Sequence, residues 1–310
     1  MMEIYFLTFI VSVCFCYSFQ KFFIKKNKFD SVKNRSSHSV IATRSGGSAI
    51  FFTLFTLTVY LYLIKNPVFD FSILIPLGIL FTVGLYDDIY DVDFKLKFIF
   101  QVIAAKIIID SGLIIDNLHG VFGIFELNRI IAHLLTIFII VAIINAINFI
   151  DGIDGLAISV VLLFIGCFEF FSISETPYLY ISIILMISLI PLYYFNFRKS
   201  HKIFLGDSGS LFLGGIVSIY TIYIMTNSYI ITPKYDLHKI IFVLSILLYP
   251  IIDITRIVFK RIAKGKSPFE ADKNHLHHLL LSRTKSHFRS TLIIIFFSLI
   301  FILTMQILIN

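Results

Sequence analysis

The amino-acid sequence predicts an all-α polytopic membrane protein that forms a single domain over residues 1–310. Hydrophobic residues occupy 58% of the 310 positions and charged residues only 15%. The mean hydropathy of +0.91 lies far above the range of soluble domains. A helix needs roughly 20 apolar residues to cross a bilayer core about 30 Å thick. Segments of that size recur along the whole chain, which excludes a soluble globular protein.

Ten apolar segments are bounded by charged or turn residues and are long enough to span a membrane. They lie near residues 2–23, 46–65, 70–86, 96–114, 129–149, 155–173, 177–195, 205–226, 238–258 and 290–309. We therefore expect about ten transmembrane helices whose connections alternate between the two sides of the membrane. The three cysteines all fall inside these segments, which predicts no disulfide framework.

Lysine and arginine are concentrated on one side of the predicted topology. The odd-numbered connections contain 21 of the 26 Lys and Arg residues. Cytoplasmic loops carry the positive excess, so these connections are predicted to be cytoplasmic and both termini to lie outside. The first segment precedes its basic cluster, as is typical of an uncleaved anchor. The net charge of +7 follows from this topology and from attraction to membrane lipid, and no nucleic-acid-binding motif accompanies it.

Polar motifs are also confined to the odd-numbered connections. They are NRSSHSVIATRSGG (34–47), YDDIYDVDFKLK (86–97), NAINFIDGIDGLA (145–157), KIFLGDSGS (202–210) and SPFEADKNHLHH (267–278). The even-numbered connections are shorter or chemically plain. Five motifs on one membrane face indicate one composite active site built from the cytoplasmic loops.

The motifs are rich in aspartate and contain no cysteine. The aspartates are Asp87, Asp88, Asp91, Asp93, Asp151, Asp154 and Asp207. Hard carboxylate oxygens without thiolates favour Mg²⁺ or Mn²⁺ over zinc or copper. Because Mg²⁺ usually takes only one or two protein carboxylates, the remaining aspartates must serve as bases, anchors or helix caps.

Glycines alternate with these aspartates in DGIDGLA and GDSGSLFLGG, and both stretches run directly into an apolar segment. A glycine lets backbone amides approach a phosphate, and a helix that starts there aims its N-terminal dipole at the anion. We therefore expect a diphosphate cradle, with Arg44, Lys95, Lys97 and the histidines as cationic donors. A divalent cation and phosphate cradles at a membrane face indicate phosphoryl transfer to a membrane lipid.

Each motif also has a plainer structural interpretation. The Asp87-Asp88 pair alone is typical of a solvated loop or a helix cap, and Asp207 could cap a helix. Asn145 and Asn148 could hydrogen-bond between helices, although that does not explain their spacing of three. The histidines could bind zinc, but without a fourth ligand at a known spacing phosphate or headgroup contact is favoured.

In their order, the motifs resemble those of the polyprenyl-phosphate N-acetylhexosamine-1-phosphate transferases of glycosyltransferase family 4. The resemblance extends from about residue 34 to residue 278 and rests on DDIYDVDFKLKFIFQ, NAINFIDGIDGLA, KIFLGDSGSLFLGG and SPFEADKNHLHHLL. It implies a UDP-sugar and undecaprenyl phosphate as substrates, UMP as product, and Mg²⁺ as cofactor with Mn²⁺ as an alternative. It further implies a bacterial plasma membrane protein whose active site faces the cytoplasm, and it is compatible with a homodimer.

The resemblance also implies roles for individual residues. Those with a catalytic role would be Asp87, Asp88, Asp151 and Asp154. The metal ligands would be Asp207 and Asp151. The substrate-binding residues would be Arg35, His38, Arg44, Lys95, Lys97, Asn145, Asn148, Gly152, Ser208, Asp253, Arg256, His275, His277 and His278. The NHLHH ending favours transfer of GlcNAc-1-phosphate, or a related HexNAc-1-phosphate, over the alternative transfer of phospho-N-acetylmuramoyl-pentapeptide.

Two other protein classes fit part of the pattern. An aspartate-dependent membrane prenyltransferase also combines Mg²⁺ with aspartates, but its aspartates are spaced four apart, unlike those of DGIDG. A transporter would place charged residues in mid-membrane and would often contain paired repeats, whereas the ionisable residues here cluster at one face. The sequence therefore favours the transferase.

Overall fold

The computed structural model describes residues 2–28, 42–65, 71–121, 123–226, 228–231, 237–265 and 274–309. Helices dominate these ranges, which confirms the predicted all-α class. They are α1 (Met2–Lys25), α2 (Gly46–Leu63), α3 (Leu74–Tyr90), α4 (Phe94–Asp110), α5 (Arg129–Ile150), α6 (Leu156–Phe170), α7 (Leu179–Phe197), α8 (Gly206–Met225), α9 (Leu237–Ile246), α10 (Leu248–Ile262), α11 (Leu276–Thr284) and α12 (His287–Ile309).

Every predicted apolar segment coincides with a helix or with a pair of helices. Seven helices, α1, α2, α3, α5, α7, α8 and α12, are long and apolar enough to cross a membrane, and the bent pair α9–α10 adds an eighth candidate. Helix α3 reaches that length together with the helical turn Phe71–Ile73 that precedes it, whereas α4 and α6, with 17 and 15 residues, are not among the candidate spans of the described residues. A polytopic membrane protein is therefore confirmed, while the count of ten and the outward position of the termini stay predictions.

The predicted ninth segment, near residues 238–258, is divided in two. Helices α9 and α10 meet at an angle of 73°, and Leu247 between them has φ −92° and ψ 11°. Pro250 lies at the third position of α10 and has no N–H to donate to a carbonyl of the preceding turn. The missing hydrogen bond weakens the helix at this point, and α10 runs on to Ile262 in a new direction.

Helix α8 forms the centre of the bundle, where it packs against α2, α3 and α5. Close approach depends on glycines: a Cβ on Gly214 would lie 2.8 Å from the Cα of Ile144, and one on Gly84 would lie 2.4 Å from the carbonyl oxygen of Asp207. Small residues of this kind allow membrane helices to pack backbone against backbone. The Gly84 contact brings the end of α3 directly against the first turn of α8.

Two small sheets accompany the helices and were not predicted. Strands β1 (Ala42–Thr43) and β4 (Lys202–Ile203) pair in parallel, while β2 (Asn117–Val121) and β3 (Ile124–Glu126) form an antiparallel hairpin. Backbone bonds continue the first pairing, from Gly46 N to Phe204 O at 3.0 Å. The β1–β4 pair therefore fixes the first connection against the seventh. Strands this short give no periodic signal in a sequence.

The described odd-numbered connections all meet at one end of the bundle, as predicted. We call it the motif end; it comprises residues 42–47, 86–97, 148–155, 202–210 and 274–287. The β2–β3 hairpin and the connection between α6 and α7 lie at the opposite end, where Ile173 N donates to Ile230 O at 3.2 Å. The grouping of the motifs is confirmed, and the cytoplasmic position of the motif end stays a prediction.

Candidate active site

Asp207, at the start of α8, is held by side chains from two other helices. Its Oδ2 accepts a hydrogen bond from Lys97 Nζ of α4 at 2.8 Å, and its Oδ1 accepts one from Asn148 Nδ2 of α5 at 3.2 Å. Asn148 Nδ2 also donates to Ser210 Oγ at 2.8 Å. The structure therefore brings together three residues that were predicted from three separate motifs, with the carboxylate of Asp207 at their centre.

The two aspartates that end α3 have different roles. Asp87 Oδ2 accepts from the same Lys97 ammonium at 3.1 Å, and its Oδ1 accepts from Val92 N at 2.6 Å. Asp88 instead accepts from the backbone N–H groups of Asp207 and Ser208, at 2.9 Å each. A carboxylate that pairs with the free N–H groups at a helix start is a helix cap. Asp87 thus faces the charged cluster, whereas Asp88 fixes the first turn of α8.

Asp151 directly follows α5 and is the least compensated carboxylate of the site. None of the described residues donates a hydrogen bond to it. Burial raises its pKa well above the ordinary range of an aspartate, and the negative charges of Asp207, Asp88 and Asp154 raise it further. Arg44 opposes this shift. A cation placed among these carboxylates would therefore be strongly stabilised.

The donor set around Asp207 fits a divalent cation. Carboxylate and amide oxygens are the ligands that Mg²⁺ and Mn²⁺ prefer, and no thiolate competes. Asp207 and Asp151 would supply charged oxygens. A 180° rotation of the Asn148 amide would present its Oδ1 in place of Nδ2. Only two or three protein ligands are required, because Mg²⁺ completes its shell with water and substrate phosphate.

Asp154 lies near this cluster, but its carboxylate is engaged elsewhere. It forms a salt bridge with Lys202 of β4, and its Oδ2 lies 3.3 Å from His287 Nδ1 at the start of α12. The backbone O of Asp154 accepts from Thr291 Oγ1 at 3.0 Å. With only 7% of the residue exposed, Asp154 anchors the α5–α6 turn to two other parts of the motif end. Its predicted catalytic role stays a prediction.

The histidines of the last motif lie over the α5–α6 turn. A Cβ on Gly152 would stand 2.4 Å from His277 Nε2 and 3.1 Å from His278 Nε2. Burial lowers the pKa of His277 to about 3, with the neighbouring His278 adding to the shift. The imidazole of His277 is therefore neutral at physiological pH. Gly152 is needed for close approach, as predicted, but the group that approaches it in the structure is a histidine.

Asp253 and Arg256, which were predicted to bind substrate, hold this histidine motif on α10. Asp253 is fully buried; its Oδ2 accepts from His275 Nδ1 at 2.6 Å and its Oδ1 accepts from Leu276 N at 2.7 Å. Arg256 donates to the carbonyl of Asn274. Because both Asp253 oxygens are used within the protein, Asp253 positions the histidine motif. The substrate-binding role of Arg256, whose side chain is 32% exposed, stays a prediction.

A metal-ligand group does occur here among the described residues. Ligand-type atoms of Asp253, His275 and His277 lie within 4.8 Å of one another. However, a carboxylate that accepts from His Nδ1 is the usual arrangement for fixing the orientation and tautomer of an imidazole. The hydrogen bonds of Asp253 account for the cluster without a metal. The phosphate or headgroup contact that the sequence favoured for the histidines stays a prediction.

Comparison with known proteins decides the family. The sequence model of glycosyl transferase family 4 matches residues 71–225, which run from the start of α3 to the end of α8. A probable undecaprenyl-phosphate N-acetylglucosaminyl 1-phosphate transferase of Bacillus subtilis is 34% identical over 287 residues, covering 90% of this chain and 76% of the relative. The chain belongs to glycosyl transferase family 4.

Other family 4 relatives share similar stretches. An undecaprenyl-phosphate alpha-N-acetylglucosaminyl 1-phosphate transferase of Haemophilus influenzae is 30% identical over 282 residues, covering 87% of this chain and 76% of the relative. A decaprenyl-phosphate N-acetylglucosaminephosphotransferase of Mycolicibacterium smegmatis is 31% identical over 241 residues, covering 72% of this chain and 59% of the relative. The family 4 region contains Asp87, Lys97, Asn148, Asp151 and Asp207.

Other residues predicted from the family 4 resemblance are placed less centrally. The Arg44 guanidinium lies 4.0 Å from Asp91, with about a third of its side chain exposed. Lys95 is exposed at the start of α4. Arg35 and His38 lie outside the described residues. The substrate-binding roles of these residues stay predictions.

Two further predicted residues of the family 4 site are packed inside the protein. Ser208 is fully buried against Gly47, and its Oγ has no hydrogen-bond partner among the described residues. Asn145 is turned away from Asp207 and pairs with Gln101 of α4. The structure therefore agrees with the alternative that Asn145 hydrogen-bonds between helices.

Three residues that shape the site were not predicted by sequence reasoning. They are Gln101, Lys202 and His287. Gln101 ends the first quoted signature and follows Lys97 by one turn of α4, so its position could have been noticed. Lys202 opens the KIFLGD motif but carries no distinctive spacing. His287 stands alone at the start of α12, and nothing around it in the sequence indicates a partner.

Proposed function

We propose that this chain transfers N-acetylglucosamine 1-phosphate from UDP-N-acetylglucosamine to undecaprenyl phosphate, which yields undecaprenyl-diphosphate N-acetylglucosamine and UMP. This would be the first membrane step of a cell-envelope polysaccharide, carried out at the cytoplasmic face of the plasma membrane. The observation that carries the proposal is a cluster at one end of an apolar bundle, in which Lys97 bonds Asp87 and Asp207 while Asn148 bonds Asp207. The buried Asp151 lies within electrostatic range of Asp207. The names of the relatives support N-acetylglucosamine over the pentapeptide alternative.

An apolar groove beside the site supports a polyprenyl acceptor. It has a volume of about 600 Å³ and runs between α5, α8, α9 and α10. Its lining includes Leu135, Ile139, Ile143, Ile147, Val243 and Ile254. Ile147 directly precedes Asn148, so the groove reaches the level along α5 at which Asn148 bonds Asp207. Because lipid tails are as apolar as this lining, the groove would hold a prenyl chain by packing and not by transfer from water.

The transfer exchanges one phosphoanhydride bond for another. An oxygen of the lipid phosphate attacks the β-phosphorus of the UDP-sugar, a new P–O bond forms, and the bond to the oxygen of the leaving UMP breaks. Lys97 offers an ammonium group to phosphate oxygens at the point where Asp87 and Asp207 hold it. When Mg²⁺ is bound, it supplies further positive charge to the diphosphate.

A carboxylate of the cluster would accept the remaining proton of the lipid phosphate. Asp87 is placed for this role, because Asp207 and Asp151 are assigned to the cation and Asp88 caps α8. The proposed route has one step, so no enzyme-bound phosphate intermediate is expected when UDP-sugar is supplied without lipid.

The decisive experiment measures UMP release by purified protein in detergent. Undecaprenyl phosphate, Mg²⁺ and a panel of UDP-sugars are supplied together, and each is then omitted in turn. We expect lipid-dependent release with UDP-N-acetylglucosamine, loss of release with EDTA, and loss in Asp207→Asn. Asp116→Asn, an exposed aspartate at the opposite end, is the matched control and should release UMP normally.

Absence of UMP release with every sugar, from protein whose thermal unfolding shows that it is folded, would contradict the proposed transfer. Release with UDP-N-acetylmuramoyl-pentapeptide alone would instead select the pentapeptide branch. Because the panel includes both donors, one experiment separates these outcomes.

A further inference from the structure

Two buried amides join α4 to α5 just below the candidate active site. Asn145 Nδ2 donates to Gln101 Oε1 at 2.7 Å, and Gln101 Nε2 donates back to Asn145 Oδ1 at 3.4 Å. Asn145 Nδ2 also donates to the carbonyl of Val141 in its own helix at 2.8 Å. Gln101 is 1% exposed and Asn145 is 7% exposed. The pair is therefore sealed inside the bundle and contacts no bulk solvent.

Filling this space with a buried amide pair costs free energy of desolvation. Amides lose their hydration on burial and regain only part of that free energy from each other, whereas two apolar side chains would pack without such a cost. The amide hydrogen bonds form in only one register of the two helices, so the pair selects that register. The pair therefore fixes how α4 and α5 lie against each other.

The register matters because of what each helix carries one turn further along. Lys97 precedes Gln101 by four residues on α4, and Asn148 follows Asn145 by three residues on α5. Residues at these spacings lie on neighbouring parts of one helix face. Lys97 and Asn148 hold the two carboxylate oxygens of Asp207. A slip of α4 along α5 would thus move Lys97 relative to Asn148, so that the two could no longer reach Asp207 together.

We propose that Gln101 is a positioning residue that, through Asn145, sets the directions from which Lys97 and Asn148 reach Asp207. Gln101 touches neither substrate nor cation. Its effect passes through the spacing of α4 and α5, and it thereby determines the geometry of the divalent-cation site. This inference deepens the proposed function and rests on it.

The test uses Mn²⁺ binding to the purified protein, followed by electron paramagnetic resonance without any substrate. Gln101→Met keeps the length of the side chain and removes its hydrogen bonds. We expect the dissociation constant for Mn²⁺ to rise about tenfold and kcat for UMP release to fall by a similar factor, since residues that orient metal ligands have effects of this size. KM for the UDP-sugar should change less than twofold.

A double variant separates positioning from simple stability. Gln101→Met alone leaves the Asn145 amide without its partner, so its melting temperature should fall. Gln101→Met combined with Asn145→Leu removes both amides, and replacing both polar partners recovers much of the stability. Because the register is still unspecified, the double variant should keep the weakened Mn²⁺ binding. The exchange Gln101→Asn with Asn145→Gln restores an amide pair and should recover part of the affinity.

Ser182→Ala is the matched control. Ser182 Oγ forms a buried interhelical bond with Tyr220 Oη at 2.8 Å, between α7 and α8 at the opposite end of the bundle. Its loss should lower the melting temperature and leave Mn²⁺ affinity and kcat unchanged.

Wild-type Mn²⁺ affinity and kcat in the double variant would overturn the inference, whatever happens to stability. The proposed transfer can fail separately. If Gln101→Met weakens Mn²⁺ binding but the wild-type protein releases no UMP, the positioning role is supported and the transferase is contradicted. A wild-type protein that releases UMP but binds no Mn²⁺ would overturn the positioning role and leave the transferase intact.

Discussion

The carboxylate of Asp88 caps the helix that carries Asp207. Both Asp88 oxygens accept backbone N–H groups of the first turn of α8, including that of Asp207 itself, at 2.9 Å. A negative charge at a helix N-terminus is stabilised by the helix dipole as well as by these bonds. The end of α3 and the start of α8 are thereby fixed as one unit around Asp207.

Asp88→Asn should therefore destabilise the protein as well as inactivate it. An amide offers one acceptor where the carboxylate offers two, so one N–H of α8 loses its partner. We expect a loss of about 1–2 kcal/mol in the free energy of unfolding, measured as a lower melting temperature in detergent. Asp93→Asn is the control, because Asp93 caps α4 through a single long bond of 3.4 Å. An unchanged melting temperature in Asp88→Asn would show that the cap contributes nothing.

Lys97→Met should affect both charge balance and catalysis. The Lys97 ammonium is the shared partner of Asp87 and Asp207, so its removal leaves neighbouring carboxylates without compensation. We expect kcat for UMP release to fall by about 100-fold or more, as for other donors aimed at developing charge. Lys199→Met, at an exposed position just after α7, should keep normal activity. Full activity in Lys97→Met would remove this residue from the mechanism.

Acid should destabilise the protein through His277. Its pKa in the fold is lowered to about 3 by burial, whereas an ordinary histidine titrates near 6.5. Below that value the unfolded state binds a proton that the folded state excludes, so stability falls as pH falls from about 6.5 towards 3. The free energy of unfolding should decrease by up to about 1.4 kcal/mol per pH unit within this window. The decrease should be shallower in His277→Asn; an equal slope in both proteins would refute the assignment.

Asp154 and Lys202 should behave as a buried pair. Asp154→Asn leaves the Lys202 ammonium without its carboxylate in a protected position, which costs about 3–5 kcal/mol. Adding Lys202→Met removes that unpaired charge, so the melting temperature should recover in the double variant. Failure to recover would mean that the salt bridge is not the source of the loss. UMP release by the recovered protein then decides whether Asp154 also acts in catalysis.

The fold class and most of the site could be predicted because membrane helices and loop motifs leave strong local signals. Long apolar segments located the helices, and polar motifs in alternate connections located the motif end. Pro250 is the one feature of the sequence that indicates the bend between α9 and α10. A straight apolar helix of the same length would fit a membrane equally well.

The roles of neighbouring polar residues could not be predicted, because they depend on direction around a helix. Asp87 and Asp88 are adjacent in sequence and point about 100° apart on α3. One therefore meets Lys97 and the other meets α8. Asn145 and Asn148 lie on neighbouring parts of one face of α5, yet Asn145 reaches Gln101 of α4 and Asn148 reaches Asp207 of α8. Asn145, Asn148, Asp151 and Asp154 are spaced regularly by three residues, but only the two asparagines lie on α5, because the helix ends at Ile150. The regular spacing therefore has no single structural origin.

The central position of α8 has a consequence for biogenesis. Its 20 residues are enclosed by α2, α3 and α5, three helices that leave the ribosome earlier. Until α8 is made, those helices surround a gap, and the small residues that later fit against it face lipid or one another. During assembly α8 must therefore enter between α2, α3 and α5, which are already in the membrane. Contacts between residues so far apart in the sequence form slowly. Insertion of α8 alone therefore does not form its contacts, which also require lateral movement of helices that are already inserted.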